Sequence, residues 1–91
     1  MNYTKQKIAV RVEVFREGSV YTALCPDLDL SSFGETAEDA KNSFREALEA
    51  FVEECEAMGT LEEVLEEAGF VRNESGWLPR QPISAELVTV G

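Results

Sequence analysis

One stretch of this chain, residues 33–58, constrains the fold more than any other. It contains no Pro, and its single Gly34 precedes Thr36, which stands three residues before Asp39 in the spacing of a capping box. Apolar residues then recur at steps of three and four, which gives one stripe along a helix of about 22 residues, roughly 33 Å long. They are Ala37, Ala40, Phe44, Ala47, Leu48, Phe51, Val52 and Cys55. Because such a stripe must be covered, the sequence predicts a sheet beneath the helix.

Strands are predicted ahead of this helix. Residues 7–16 and 19–25 alternate apolar and polar side chains on either side of Gly18, which indicates an antiparallel hairpin. Pro26 lacks an N–H group and ends the second strand. Residues 30–35 are predicted to form a short third strand that leads directly into the helix.

The chain beyond the long helix predicts shorter elements. Gly59 fits the position that closes the helix, and Thr60 with Glu63 has the spacing of a second capping box, so a short helix is expected before Gly69. Residues 70–79 then predict a second hairpin. The apolar residues Leu87, Val88 and Val90 predict a last strand over residues 85–90, either on a sheet edge or shared with a neighbouring molecule.

The predicted fold class is therefore α+β. We expect a two-layer sandwich in which an antiparallel sheet of three or four strands is backed by one long helix, in the order β-β-β-α-α-β-β-β. A length of 91 residues predicts one domain over residues 1–91, with its core in residues 7–58 and the smaller elements in residues 60–90. A domain of this size hides only about 60–65% of its unfolded surface, which favours self-association.

The net charge of −10 is confined to one part of the chain. Residues 35–67 hold 12 acidic and 2 basic side chains, Lys41 and Arg45, and so carry −10 alone, whereas the other 6 acids and 6 bases cancel. The acids are Glu35, Glu38, Asp39, Glu46, Glu49, Glu53, Glu54, Glu56, Glu62, Glu63, Glu66 and Glu67. Such a surface repels phosphate backbones and suits either plain solubility or a basic partner. We expect no direct binding of nucleic acid.

The chain has two cysteines and no histidine. Since His is the commonest general base and metal ligand, we expect no enzymatic activity, cofactor or metal site. Cys25 and Cys55 are predicted to be free and buried, because no His is present to activate a thiolate. Residues 1–7 lack an apolar leader and no window holds 18 apolar residues, so we expect a cytoplasmic protein without membrane contact.

Two local features admit alternative interpretations. Asp27, Asp29 and Glu35 cluster near the turn after the second strand and could hold Mg²⁺ for a residual nuclease, but Asp is also an ordinary turn residue, which we favour. Residues 34–39 precede a helix, yet they lack the glycine spacing of a phosphate loop and carry acids, so anion binding is rejected. Trp77 is either a core residue of the second hairpin or an interface anchor.

Several motifs occur in a fixed order. Residues 21–28 read YTALCPDL, residues 34–40 read GETAEDA, and the helix continues with Glu46 and Ala47. Each motif alone is common, but together, in this order and spacing, they resemble the HicB-like antitoxin family over residues 8–56. Its pattern is roughly Y-x-A-x-C-P-D-L, then G-x-T-x-E-E-A, then E-A.

This resemblance implies a partial RNase H-like core without catalytic carboxylates, assembled as dimers or tetramers. It also implies a role, the masking of the active site of a small, basic HicA-type mRNA-cleaving toxin. The residues predicted to contact a partner are Asp27, Asp29, Glu35 and Trp77.

The chain departs from the family pattern in two places. Residues 29–33 read DLSSF where many relatives have Pro-Gly-Cys and a Thr or Ser, and residues 60–91 hold too little helix for the DNA-binding domain that many relatives carry. The chain thus looks like a short stand-alone member. The alternative function is that of a self-assembling HicB-like module without a toxin partner.

Overall fold

The computed structural model describes residues 6–91 and contains six strands and two helices within them. In chain order they are β1 (Lys7–Ile8), β2 (Glu13–Glu17), β3 (Val20–Cys25), β4 (Leu30–Gly34), α1 (Ala37–Met58), α2 (Leu61–Glu67), β5 (Val71–Arg72) and β6 (Gly76–Leu78). The predicted α+β class is confirmed. Neither helix of the described chain is long and apolar enough to cross a membrane. The predicted absence of a leader concerns mainly residues 1–5, which lie outside the described residues.

The first sheet is antiparallel and has the order β2-β3-β4. The predicted hairpin joins Glu17 to Val20 through a turn in which Gly18 has a φ of 67°, a value that favours glycine. The predicted third strand pairs with the second from Leu30 opposite Cys25. Alternate residues of these strands face the long helix, so this sheet and α1 form the two expected layers.

Helix α1 begins and ends where the sequence predicts. The Thr36 hydroxyl accepts a hydrogen bond from the Asp39 backbone N–H at 3.0 Å, and Gly59, with a φ of 73°, closes the last turn. The apolar stripe packs on the sheet, where Ala40 and Phe44 join two buried β3 residues, Ala23 and Cys25.

A glycine is required where β4 meets α1. A Cβ on Gly34 would overlap the backbone of Asp39 and Ala40, because the end of the strand passes directly against the first helical turn. The motif GETAEDA therefore contains a packing contact as well as a helix cap.

The second sheet has the order β1-β6-β5. The predicted second hairpin is present, and the Asn73 side chain closes its turn by accepting hydrogen bonds from the N–H groups of Ser75 and Gly76. Strand β6 also pairs in parallel with β1, an arrangement that the sequence analysis did not predict. This sheet covers a second cluster of buried residues, formed by Leu65, Phe70 and Trp77.

The predicted order of strands is wrong at both ends. The strand expected over residues 7–16 is interrupted between Ile8 and Glu13. Strand β3 ends at Cys25, before Pro26, and β6 ends at Leu78, before Pro79. Because Pro has no N–H group to donate to a sheet, neither partner strand continues alongside residues 9–12.

The last predicted strand, residues 85–90, is also wrong. Residues 82–91, hereafter the final segment, pair with no strand of the described chain, and all of them are exposed. A β-strand needs a partner for its backbone hydrogen bonds, and the final segment reaches neither open edge of the antiparallel sheet. The observed order is β-β-β-β-α-α-β-β.

The second capping box is wrong as well. Thr60 makes no side-chain cap to α2; its hydroxyl instead donates to the Cys55 carbonyl at the end of α1, at 3.4 Å. Only Gly59 and Thr60 lie between the two helices, so the Thr60 side chain lies close to the last carbonyls of the preceding helix.

Candidate partner-binding surfaces

The structure does not gather the three predicted turn carboxylates into one site. Among residues 6–91, no group of three or more His, Cys, Asp or Glu side chains is placed to hold a metal ion. Asp29 has a φ of 54° in an exposed turn, where its N–H donates to the Pro26 carbonyl, and Glu35 is exposed beyond the end of β4. The arrangement favours the turn role over the Mg²⁺ alternative.

Asp27 connects three parts of the chain. Its carboxylate lies 3.9 Å from Arg11 Nη1 and 3.8 Å from Arg80 Nε, and only 12% of its side chain is exposed. Arg11 also donates to the Arg80 carbonyl at 3.3 Å. Asp27 thus joins the β1–β2 connection, the turn after β3 and the residues that follow β6, whereas Asp29 and Glu35 are exposed.

Trp77 is a buried residue of the second cluster. This is the first of its two predicted roles, that of a core residue of the second hairpin. It is 3% exposed, its Nε1 donates to the Gln6 Oε1 at 3.2 Å, and the Arg72 guanidinium lies 5.4 Å from the ring centroid. Little of the indole surface is available to a partner.

The two cysteines lie on opposite layers of the fold. Cys25 is in the sheet and Cys55 on α1, and both are buried and free, as predicted. The thiols belong to the packed interior.

The acids of residues 35–67 form a continuous exposed surface, hereafter the acidic face. All twelve are exposed. Glu46, Glu49, Glu53 and Glu56 follow at steps of three and four, which places them along one side of α1, away from the apolar stripe. Within the described chain, ion pairs reach only Glu38, from Lys41, and Glu62, from Arg72. Ten carboxylates of the acidic face therefore have no basic neighbour within 4.0 Å among residues 6–91.

A groove that the sequence analysis missed lies between α1 and the first strands. It has a volume of about 330 Å³ and its lining is mostly apolar. The lining residues are Ile8, Val10, Val12, Lys41, Phe44, Arg45 and Leu48. Both bases of residues 35–67 thus lie at this groove. Two features of the sequence indicate this groove. Lys41 and Arg45 are one helical turn apart, and the apolar residues 8, 10 and 12 alternate with others along the chain.

The far face of the antiparallel sheet also bears uncovered apolar side chains. Thr22 pairs with Phe15 on one side and Phe33 on the other, so the three residues form a row across the sheet. Phe15 is 49% and Phe33 is 63% exposed.

A scan against protein-family models, a search of curated proteins and a search of solved structures each gave no match.

Proposed function

We propose that this protein is a HicB-like antitoxin that binds and neutralises a small, basic, mRNA-cleaving toxin of the HicA type. The acidic face is the observation that carries this proposal. Ten of its carboxylates, nine of them on two consecutive helices, have no basic side chain within 4.0 Å among the described residues. They give a strongly negative potential, which attracts a protein rich in Lys and Arg and accelerates the encounter.

The mechanism follows from the chemistry of the proposed target. A protein that cleaves RNA must bind the phosphate backbone, and it does so with basic side chains. Carboxylates on the antitoxin compete with the phosphates for those side chains. The toxin is then neutralised by occlusion of its RNA-binding surface, without any catalytic group on this chain.

The family resemblance supports the same proposal. The motif of residues 21–28 covers β3 and the turn after it, and the motif of residues 34–40 covers the contact between β4 and α1. In this proposal the antiparallel sheet with α1 is a partial RNase H-like core, and the chain is a single HicB-like domain. Glu35 is the first residue of the acidic face and Asp29 precedes it in sequence, and both are proposed partner contacts.

The proposal is tested by co-expression with any small basic reading frame that adjoins the gene. We expect the neighbour to arrest growth alone, and co-expression to restore growth and yield a complex. The lack of such a neighbour, or a neighbour that forms no complex and is not neutralised, would contradict the proposal.

A matched pair of variants locates the surface. Glu49→Gln with Glu53→Gln removes two charges of the acidic face, and we expect toxin affinity to fall about three- to tenfold, the effect of one to two exposed ion pairs. Glu13→Gln with Glu74→Gln removes the same charge elsewhere and should leave the affinity within about twofold.

The second candidate is a self-assembling HicB-like module without a toxin. The uncovered apolar side chains of the final segment favour it, because exposed apolar surface of this kind is typical of an unoccupied interface. Light scattering during size-exclusion chromatography should show a dimer or tetramer, and a monomer at all accessible concentrations would count against this function.

A further inference from the structure

We infer that the final segment of one copy binds in the groove of a second copy, with Glu86 facing Lys41 and Arg45. This inference deepens the self-assembly candidate and does not depend on a toxin. It rests on two surfaces of the same chain that are complementary in polarity and charge and are both uncovered.

The groove is open because α1 lies off-centre on the sheet. The helix packs mainly against β4 and β3, and β2 is an edge strand without a partner on its outer side. The side chains of Val10 and Val12 reach the core only in part, and Phe44 and Leu48 approach them from the helix. The groove therefore presents apolar carbon next to an open strand edge.

The charge at the groove is opposite to the charge of the rest of α1. Lys41 and Arg45 are its only ionisable groups. Lys41 lies 3.5 Å from Glu38, whereas the Arg45 guanidinium donates only to the Asn42 side chain and has no carboxylate within 4.0 Å in the described residues. An occupant of matching chemistry is apolar and carries a negative charge.

The final segment has this chemistry. Its large side chains, Ile83, Leu87, Val88 and Val90, are between 84% and 105% exposed. Removal of such side chains from water favours association. Glu86 is the only charged side chain of residues 82–91 and directly precedes the apolar pair at positions 87 and 88.

The occupant is placed on a second copy because residues 6–91 of a single chain leave both surfaces uncovered. Arg80 is held at Asp27 and Arg11, and beyond it the final segment leaves the body of its own chain without covering the groove. Two copies that exchange segments satisfy both surfaces of both chains through one two-fold relation.

The first test is a mixed-label NMR experiment on the purified protein alone. A spin label is placed on Ser84→Cys of unlabelled chains, which are mixed with ¹⁵N-labelled chains; Cys25 and Cys55 are buried and so escape labelling. We expect broadening at the amides of residues 41–48. A label on Ser19→Cys, at the exposed hairpin turn, is the control and should not broaden these signals.

Two results of this experiment would overturn the inference. One is broadening in a sample whose chains carry both the label and ¹⁵N, with none in the mixed sample, since the groove would then hold the final segment of its own chain. The other is no broadening of residues 41–48 in any sample. Neither result bears on the binding of a toxin, which is measured separately.

A charge exchange tests the proposed contact itself. In sedimentation equilibrium, Arg45→Glu should raise the dimer dissociation constant about tenfold, and adding Glu86→Arg should restore it to within about threefold. Glu74→Arg, which changes the charge equally outside the final segment, should not rescue Arg45→Glu. Equal rescue by both, or a dimer insensitive to Arg45→Glu, would contradict the contact.

Discussion

The acidic face and the groove share helix α1 but differ in exposure, polarity and charge, the properties that decide what a surface binds. The acidic face is exposed and negative, and ten of its carboxylates have no basic neighbour within 4.0 Å in the part of the chain that the structure describes. The groove is concave and apolar and bears the two positive charges of residues 35–67. The angular position of the side chains on one helix therefore separates a negative surface from an apolar groove with two positive charges.

This difference shows why net charge alone describes the chain poorly. A value of −10 predicts a uniform repulsion between copies, which would oppose self-association. The structure instead places Lys41 and Arg45 beside an apolar groove, where a neutral or acidic segment can approach. Binding of a basic protein and self-association then use different surfaces and need not compete.

The largest predicted effect comes from truncation of Phe44, a core residue of the helix that carries both surfaces. Phe44 is 3% exposed, joins the first core cluster and lines the groove. Phe44→Ala should lower the free energy of unfolding by about 3–5 kcal/mol, measured by urea denaturation, and should weaken both kinds of binding.

Phe33→Ala is the matched control for this prediction. Phe33 is 63% exposed on the far face of the sheet, so the same truncation should cost less than about 1 kcal/mol. Equal losses for the two variants would show that α1 is not anchored through Phe44.

The part of the fold that could be predicted from the sequence is the part with local signals. The alternation around Gly18, the cap at Thr36 and the apolar stripe of α1 each depend on residues close in the chain, and the structure has all three. The second hairpin was predicted for the same reason. Cys25 and Cys55 were correctly assigned to the interior, since each falls on the apolar side of its element.

The remainder depends on contacts between distant residues. The parallel pairing of Ile8 with Trp77 joins residues 69 positions apart, and no local pattern indicates it. The expected strand over residues 85–90 has strand-like composition, but composition cannot supply the neighbouring edge that a strand requires. The groove was missed because Lys41 and Arg45 were counted among the charges of a helix, without the path of residues 8–12 beside them.

A smaller effect on stability is predicted for a single charge change on α1. Glu53→Lys places a base four residues after Glu49, in the second half of a helix whose last turn has no base. A favourable i,i+4 pair then replaces a like-charge pair, which should raise the free energy of unfolding by about 0.3–1 kcal/mol at low salt. Urea denaturation at two salt concentrations measures this, with Glu74→Lys, outside any helix, expected to change little. A destabilised Glu53→Lys would imply that this carboxylate has a structural role.

The central claim is that the acidic face, and not the groove, binds a basic ribonuclease. Its most direct test is calorimetric titration of the toxin from the adjoining gene into two variants of α1, Glu49→Lys with Glu53→Lys and Lys41→Glu with Arg45→Glu. We predict that the first loses affinity at least about tenfold, while the second stays within about threefold of the unmodified protein. Unchanged binding by the first variant, or an equal loss in the second, would contradict the claim.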